Sequence, residues 1–240
     1  MDKKQDSKEI DDIIYLFDTI KSPLQIGFLI DKCVKKEHTI AILLKFIDKK
    51  YIKIKPIYEG NEIKSYELEK NNLNIFDKEY YQSFIKEQVI NEYYVKELAK
   101  FKVTISEIYV INRIIFNDNE KVKIKDIKEF YDDKNCIGLE TEELKAKYIF
   151  TSKLVQKELE LFNLINIKYT NIFKFTDLGK KERKKCKEFL KKLKKETFLK
   201  EKELESLIIW GEYLILGVAL GLCKITIKQI NDIYNKADKY

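Results

Sequence analysis

Seven glycines and two prolines in 240 residues leave this chain few places to turn sharply. A strand-rich fold needs a turn every ten residues or so, and each tight turn favours a breaker. The scarcity therefore points to long helices. Apolar residues make up 45% of the chain, enough for a sizeable core, and charged residues 36%, enough to cover its surface. Abundant Ile, Lys, Asn and Tyr beside scarce Arg and Pro is the bias of an AT-rich genome, which lowers the weight carried by any single lysine.

The periodicities fill in this frame. Ile10, Ile13, Ile14, Phe17 and Ile20 share one helical face. Ser22-Pro23 is a break and cap, followed by helices over Leu24–Val34 and Thr39–Lys49. At Tyr51 to Lys55 the period switches to two, Glu59-Gly60-Asn61 supplies a turn, and Ser65–Leu68 returns as a partner strand. Phe76 to Phe101 reads as one long, largely helical stretch, and Ser106 to Phe116 as a helix capped by Ser106 or Thr104. A short strand is expected at Lys121–Lys123, a short helix at Ile124–Tyr131 and a long helix at Thr141–Phe162. A second hairpin over Leu164–Tyr169 and Ile172–Phe175 leads into a helix over Lys180–Lys195. The expected fold class is mainly α with small β-hairpins: tandem winged-helix-like units followed by C-terminal helices. The units fall at 1–75 and 104–198, with a connecting helix over 76–103 and a C-terminal helical segment over 199–240 packing on the rest.

One segment concentrates the charge. Lys180 to Lys202 holds 12 basic and 4 acidic residues, net +8, while the whole chain is +7, so everything outside it sums to −1. The candidate contacts for an anionic partner are Lys180, Lys181, Arg183, Lys184, Lys185, Lys187, Lys191, Lys192, Lys194 and Lys195. Three readings stay open. Cys186, Phe189, Leu190 and Leu193 form an apolar stripe, so the lysines are a solvated face of an amphipathic helix. The lysines also suit an anionic membrane surface. They suit nucleic-acid phosphates as well, the alternative partner to a protein. Base readout is not expected. The first candidate recognition helix offers Thr39, Lys45 and Lys49. The second carries Glu142, Glu143, Glu158 and Glu160, which would repel phosphates.

The residues point to no enzyme. His38 is the only histidine and is expected to be an exposed polar cap. No nucleophile elbow, P-loop or dinucleotide fingerprint occurs. Cys33, Cys136, Cys186 and Cys223 lack metal-site spacing and read as small buried side chains in a reducing compartment. No catalytic, metal or cofactor-binding residue is assigned, no cofactor is expected and no small-molecule substrate is evident. The apolar run Tyr213–Cys223 is eleven residues, short of the ~20 a membrane span needs, and Glu212 interrupts its upstream extension. No signal peptide is read at the N-terminus.

Trp210, Tyr213, Leu214, Val218, Ala219, Leu220 and Gly221 resemble the C-terminal signature of the YciQ-like predicted membrane proteins, a bacterial family of unknown function. In that pattern Ile215 stands for the usual Pro, Leu216 for Tyr and Gly217 for Ala. Ser22–Asp31, Thr39–Asp48 and Tyr51–Ile54 resemble the start of the family's cytoplasmic domain, with Lys50 at a frequent Gly position. The resemblance implies a cytoplasmic domain at the inner face of a membrane, with protein partners and no established catalytic residues. It makes the Trp210–Gly221 residues structural.

Overall fold

Ser22 and Pro23 start the described chain as a capped helix. In the computed structural model, residues 22–71, 73–124, 141–169, 172–194 and 207–222 are described. Ser22 holds extended backbone, its Oγ accepts from Leu24 N at 3.2 Å, and Pro23 fills the first helical position, where no N–H is needed. Helix α1 is Pro23–Asp31, and its residues Pro23 to Leu29 are all buried. It ends at Lys32, which sits at φ 63° and donates its N–H to Phe28 O. Helix α2, Lys36–Asp48, follows and is nearly as buried.

Strands β1 (Ile52–Glu59) and β2 (Glu62–Lys70) pair antiparallel around Gly60, whose φ of +65° suits a residue without a side chain. The expected 76–103 helix is two helices, α3 (Glu79–Glu87) and α4 (Glu92–Ala99). Gln88, at φ 59°, ends α3, and Asn91 restarts the chain by accepting from Tyr93 N. Helix α5 (Ile105–Tyr109) runs on into a π-helical turn over Val110–Ile115. Strand β3 (Lys121–Ile124) comes next, then α6 (Thr141–Leu161) and the hairpin β4 (Ile165–Tyr169) and β5 (Ile172–Phe175). Helices α7 (Asp177–Lys194) and α8 (Leu207–Ala219) complete the described chain. The fold is mainly α with small antiparallel hairpins. The expected helices at Glu9–Ile20 and beyond Ile124 lie outside the described residues.

The pairing of the strands cuts across the expected units. Strand β3, from the 104–198 range, adds to β2 in register Tyr66↔Ile124 through Glu69↔Lys121, while among the described strands β4 and β5 pair with each other. Helix α1 packs against α6 and α7 as well as α2. Buried apolar residues from Leu24 to Leu222 form one continuous core. Among the described elements no gap in the packing separates 1–75 from 104–198.

Helix α8 lies on α2 and α1 and buries Ile215, Leu216, Val218 and Ala219. A Cβ on Gly211 would come within 2.9 Å of Asp48 Oδ1, so the glycine lets α8 approach α2 closely. Gly217 and Gly221 do not share a helical face. Gly221, at φ +72°, ends the helix with Gly221 N donating to Val218 O and Leu222 N to Gly217 O, a Schellman closure. Among the described residues no helix is long and apolar enough to cross a membrane.

Gly179 marks where α7 meets the second hairpin. A Cβ there would sit 1.8 Å from Leu164 O, the same carbonyl that accepts from Thr176 N. Because that contact is backbone, Gly179→Ala is expected to cost about 2–3 kcal/mol in urea unfolding. A change below about 0.5 kcal/mol contradicts this packing.

Candidate functional site

Glu107 begins as a local device. Thr104 caps α5 by accepting from Glu107 N, and Glu107 Oε2 returns the bond by accepting from Thr104 N at 3.0 Å. The same carboxylate is 0% exposed and reaches two other helices. Its Oε1 accepts from Ser22 Oγ at 2.8 Å, and both oxygens accept from Lys45 Nζ at 2.8 Å. Ser22 caps α1 and Lys45 lies in the last turn of α2, so one side chain ties three helices. Lys45 is 2% exposed. Burial pushes its ammonium below the ordinary value, and Glu107 opposes that push.

A second carboxylate extends the network to α6. Glu158 Oε1 accepts from Ser106 N at 2.7 Å, while Oε2 accepts from Ser106 Oγ at 2.7 Å and Gln25 Nε2 at 3.1 Å. Burial drives its carboxyl up to about 7, against the pull of those three donors, and the negative Glu107 adds to the rise. Glu158 and Gln25 wall a cavity of about 40 Å³ lined otherwise by apolar side chains such as Val95, Val103 and Leu161. Gln25 Oε1 has no hydrogen-bond partner there. The space suits ordered water and is far below the ~300 Å³ of a small-molecule site. A carboxyl tuned near neutrality has the pKa of a general base, but this one faces no room for a substrate.

Several expected surface residues are inside. His38 is buried against Gly27, where a Cβ would come within 2.3 Å of its ring. Its Nδ1 accepts from Lys35 N at 3.1 Å, and its Nε2 lies 3.3 Å from Asp31 Oδ2 without hydrogen-bond geometry. The exposed-cap expectation is corrected: the ring keeps its capping bond but fills the core. Thr39 and Lys45 are buried too and Lys49 is half-buried, so α2 does not present the three together as a recognition surface. Of the four glutamates expected to face outward from α6, Glu142 and Glu143 are exposed, whereas Glu158 turns inward and Glu160 bonds Lys157 and Ile167 N. Cys186 is buried, its thiol pushed up to about 12 by burial, whereas Cys33 is exposed, contrary to expectation. Cys136 and Cys223 lie outside the described residues.

Helix α7 sorts its basic residues into two classes. Arg183 is not a surface contact. Its Nε donates to Leu29 O at 2.7 Å and its Nη2 to Ile30 O at 3.4 Å, meeting the last carbonyls of α1, and its guanidinium lies 5.3 Å from the Phe175 ring. Lys185 is half-buried and pairs at 3.3 Å with Glu182, itself buried. Lys180, Lys184, Lys187, Lys191 and Lys194 are exposed. At 3.6 residues per turn they fall within a stripe about 80° wide, opposite Cys186 and Phe189. Lys180 pairs with Asp177 at 2.8 Å and Lys184 lies 3.8 Å from Glu188, while Lys181, Lys187, Lys191 and Lys194 make no ion pair with a described residue. The Lys192 side chain and Lys195 are outside the described residues, as are the side chains of Trp210 and Tyr213. Leu214 and Leu220 are half-buried, and Gly221 is exposed.

The charge extends beyond the helix that announced it. Lys32 and Lys174 join Lys180 around an open groove floored by Phe173 and Phe175. Sequence reasoning missed Lys32 and Lys174 because nothing local links the end of α1 to a hairpin about 140 residues later. It also missed the network around Glu107, although Thr104-x-x-Glu107 has the spacing of a capping box. Compared with family models, curated proteins and solved structures, the chain matches none.

Glu158 makes stability depend on pH. Its folded value of about 7 lies above the ordinary 4.5, so the folded state holds the proton more tightly than the unfolded one. The stabilisation is complete below pH ~4.5 and is lost as pH rises through ~7, amounting to roughly 3 kcal/mol. Unfolding midpoints of the wild type should fall over this range, and those of Glu158→Gln should fall much less. Parallel pH profiles contradict the assignment.

Proposed function

We propose that this chain is a non-catalytic binding module whose working surface is the lysine face of α7 and the adjoining β4–β5 hairpin, used to dock an anionic partner. The observation that carries the reading is the stripe of five exposed lysines opposite the buried face of α7, continued by Lys32 and Lys174. Amphipathicity alone accounts for lysines on the helix. It does not account for a groove in which lysines from three separate elements converge. The α5–β3–α6–β4–β5 order supports the winged-helix-like reading of 104–198, in which the second hairpin would be the wing. The YciQ-like resemblance supports a cytoplasmic setting at the inner face of a membrane with protein partners. Tyr169 and Ile172, 73% and 57% exposed near the hairpin tip beside Lys168 and Lys174, favour contact with a membrane surface as the second reading.

Heparin chromatography tests the working surface. Lys184→Glu, Lys187→Glu and Lys191→Glu together should shift elution to markedly lower salt with an unchanged circular dichroism spectrum. The same charge change at the exposed Lys53, Lys64 and Lys86 should shift it much less. Equal shifts for the two triple variants would show that net charge alone governs retention and would remove the proposal.

A further inference from the structure

We infer that the lysine groove and stripe hold the phosphodiester backbone of duplex nucleic acid, read without regard to sequence. This rests on the reading of the α7 face as the working surface. Three features of the molecule select this partner among anions.

The first is shape. The groove is concave and placed by rigid parts. Lys32 is fixed by the left-handed cap that ends α1, Lys174 stands on β5, and Lys180 begins the exposed stripe of α7. Its floor is held from below: the Phe173 ring packs 5.5 Å from Phe28 and 5.5 Å from Phe175, and Phe175 lies against the Arg183 guanidinium. From Lys180 to Lys194 the stripe runs on for about 21 Å at 1.5 Å per residue. One strand of a duplex passes roughly six phosphates in that length. A stripe of lysines rising about 4.5–6 Å along the helix from one to the next fits a linear polyanion better than the scattered carboxylates of a folded protein.

The second is the helix's apolar side. A helix that lies on a bilayer turns its apolar face to the lipid. The apolar face of α7, Cys186 and Phe189, is already buried in the core, and its exposed stripe is lysine throughout. Flat contact with headgroups would also leave the groove unfilled.

The third is the fate of the arginines. Bidentate reading of guanine by Arg or Lys is the commonest specific base contact, and the planar guanidinium of Arg suits a two-bonded geometry best. Both arginines of the chain already have partners within it, Arg113 in a part-exposed pair with Asp118 and Arg183 with the carbonyls of Leu29 and Ile30. Of the polar side chains that the winged-helix-like reading would offer to a groove, Thr39 and Lys45 in α2 are buried, and α6 exposes Glu142 and Glu143, which repel phosphate. Phosphate contact remains and base contact does not.

Fluorescence anisotropy with the full chain and labelled duplex DNA about two helical turns long tests this, using two unrelated sequences between about 50 and 200 mM salt. The two affinities should agree within roughly threefold. Log affinity should fall against log salt with a slope of about −5 for some five to six phosphate contacts. Lys32→Ala with Lys174→Ala should make that slope shallower by about 2, and Lys187→Ala with Lys191→Ala should do the same. No binding at the lowest salt overturns the inference, as does a slope unchanged in both double variants or a preference of more than about tenfold for one sequence. If heparin retention still depends on Lys184, Lys187 and Lys191, such a failure leaves the α7 surface standing. Binding to vesicles of equal phosphatidylcholine and phosphatidylserine without binding to DNA would assign that surface to a membrane instead. Loss of the heparin dependence as well would remove both readings.

Discussion

A carboxylate that cannot reach water organises this fold. Glu107 accepts from Thr104 N, Ser22 Oγ and Lys45 Nζ, and each donor belongs to a different helix or its cap. A buried charge is tolerable only when its partners are close and its lone pairs are filled, and here they are. The arrangement contributes little net stability over an apolar core of the same shape, but it penalises every arrangement in which α1, α2 and α5 sit differently. Glu158 carries the same logic to α6 through Ser106 and Gln25. With four helices tied at their polar centres, β3 and α8 add to a frame whose geometry is already set.

That frame decides which surfaces are left for work. Helix α2 is spent largely on the interior, with His38 and Thr39 facing the core, while α6 turns Glu158 inward and keeps Glu142 and Glu143 exposed. Helix α7 buries only its narrow Cys186–Phe189 side, so its opposite side is where charge can gather without cost to the core. Arg183 illustrates the division. It sits in the basic run yet closes the end of α1, and its neighbours Lys184 and Lys187 face outward. The lysine groove is thus a consequence of how α1, β5 and α7 meet, as much as of composition.

Much of this was legible in the residues, for local reasons. Ser22-Pro23, the Gly60 turn and the apolar period of Thr39–Lys49 each encode their structure within a few positions, and those elements formed within two or three residues of expectation. The break at Gln88 was not legible, because a left-handed glutamine carries no residue-type signal. The pairing of β3 with β2 depends on contacts more than fifty residues apart. Lys45 read as a surface lysine because its counter-ion lies 62 residues away. For the same reason the groove was half seen: ten basic positions between Lys180 and Lys195 mark the segment, but Lys32 and Lys174 become part of the surface only when the chain has folded.

The central claim is that Glu107 couples α1, α2, α5 and α6 into one cooperative unit. Native-state hydrogen exchange of the wild type and Glu107→Gln measures this directly. Removing the Glu107 charge beside the buried Lys45 should lower the opening free energy of amides in all four helices together, by about 3–5 kcal/mol. A loss confined to the turn around Thr104, with α1 and α2 protected as before, would contradict the account.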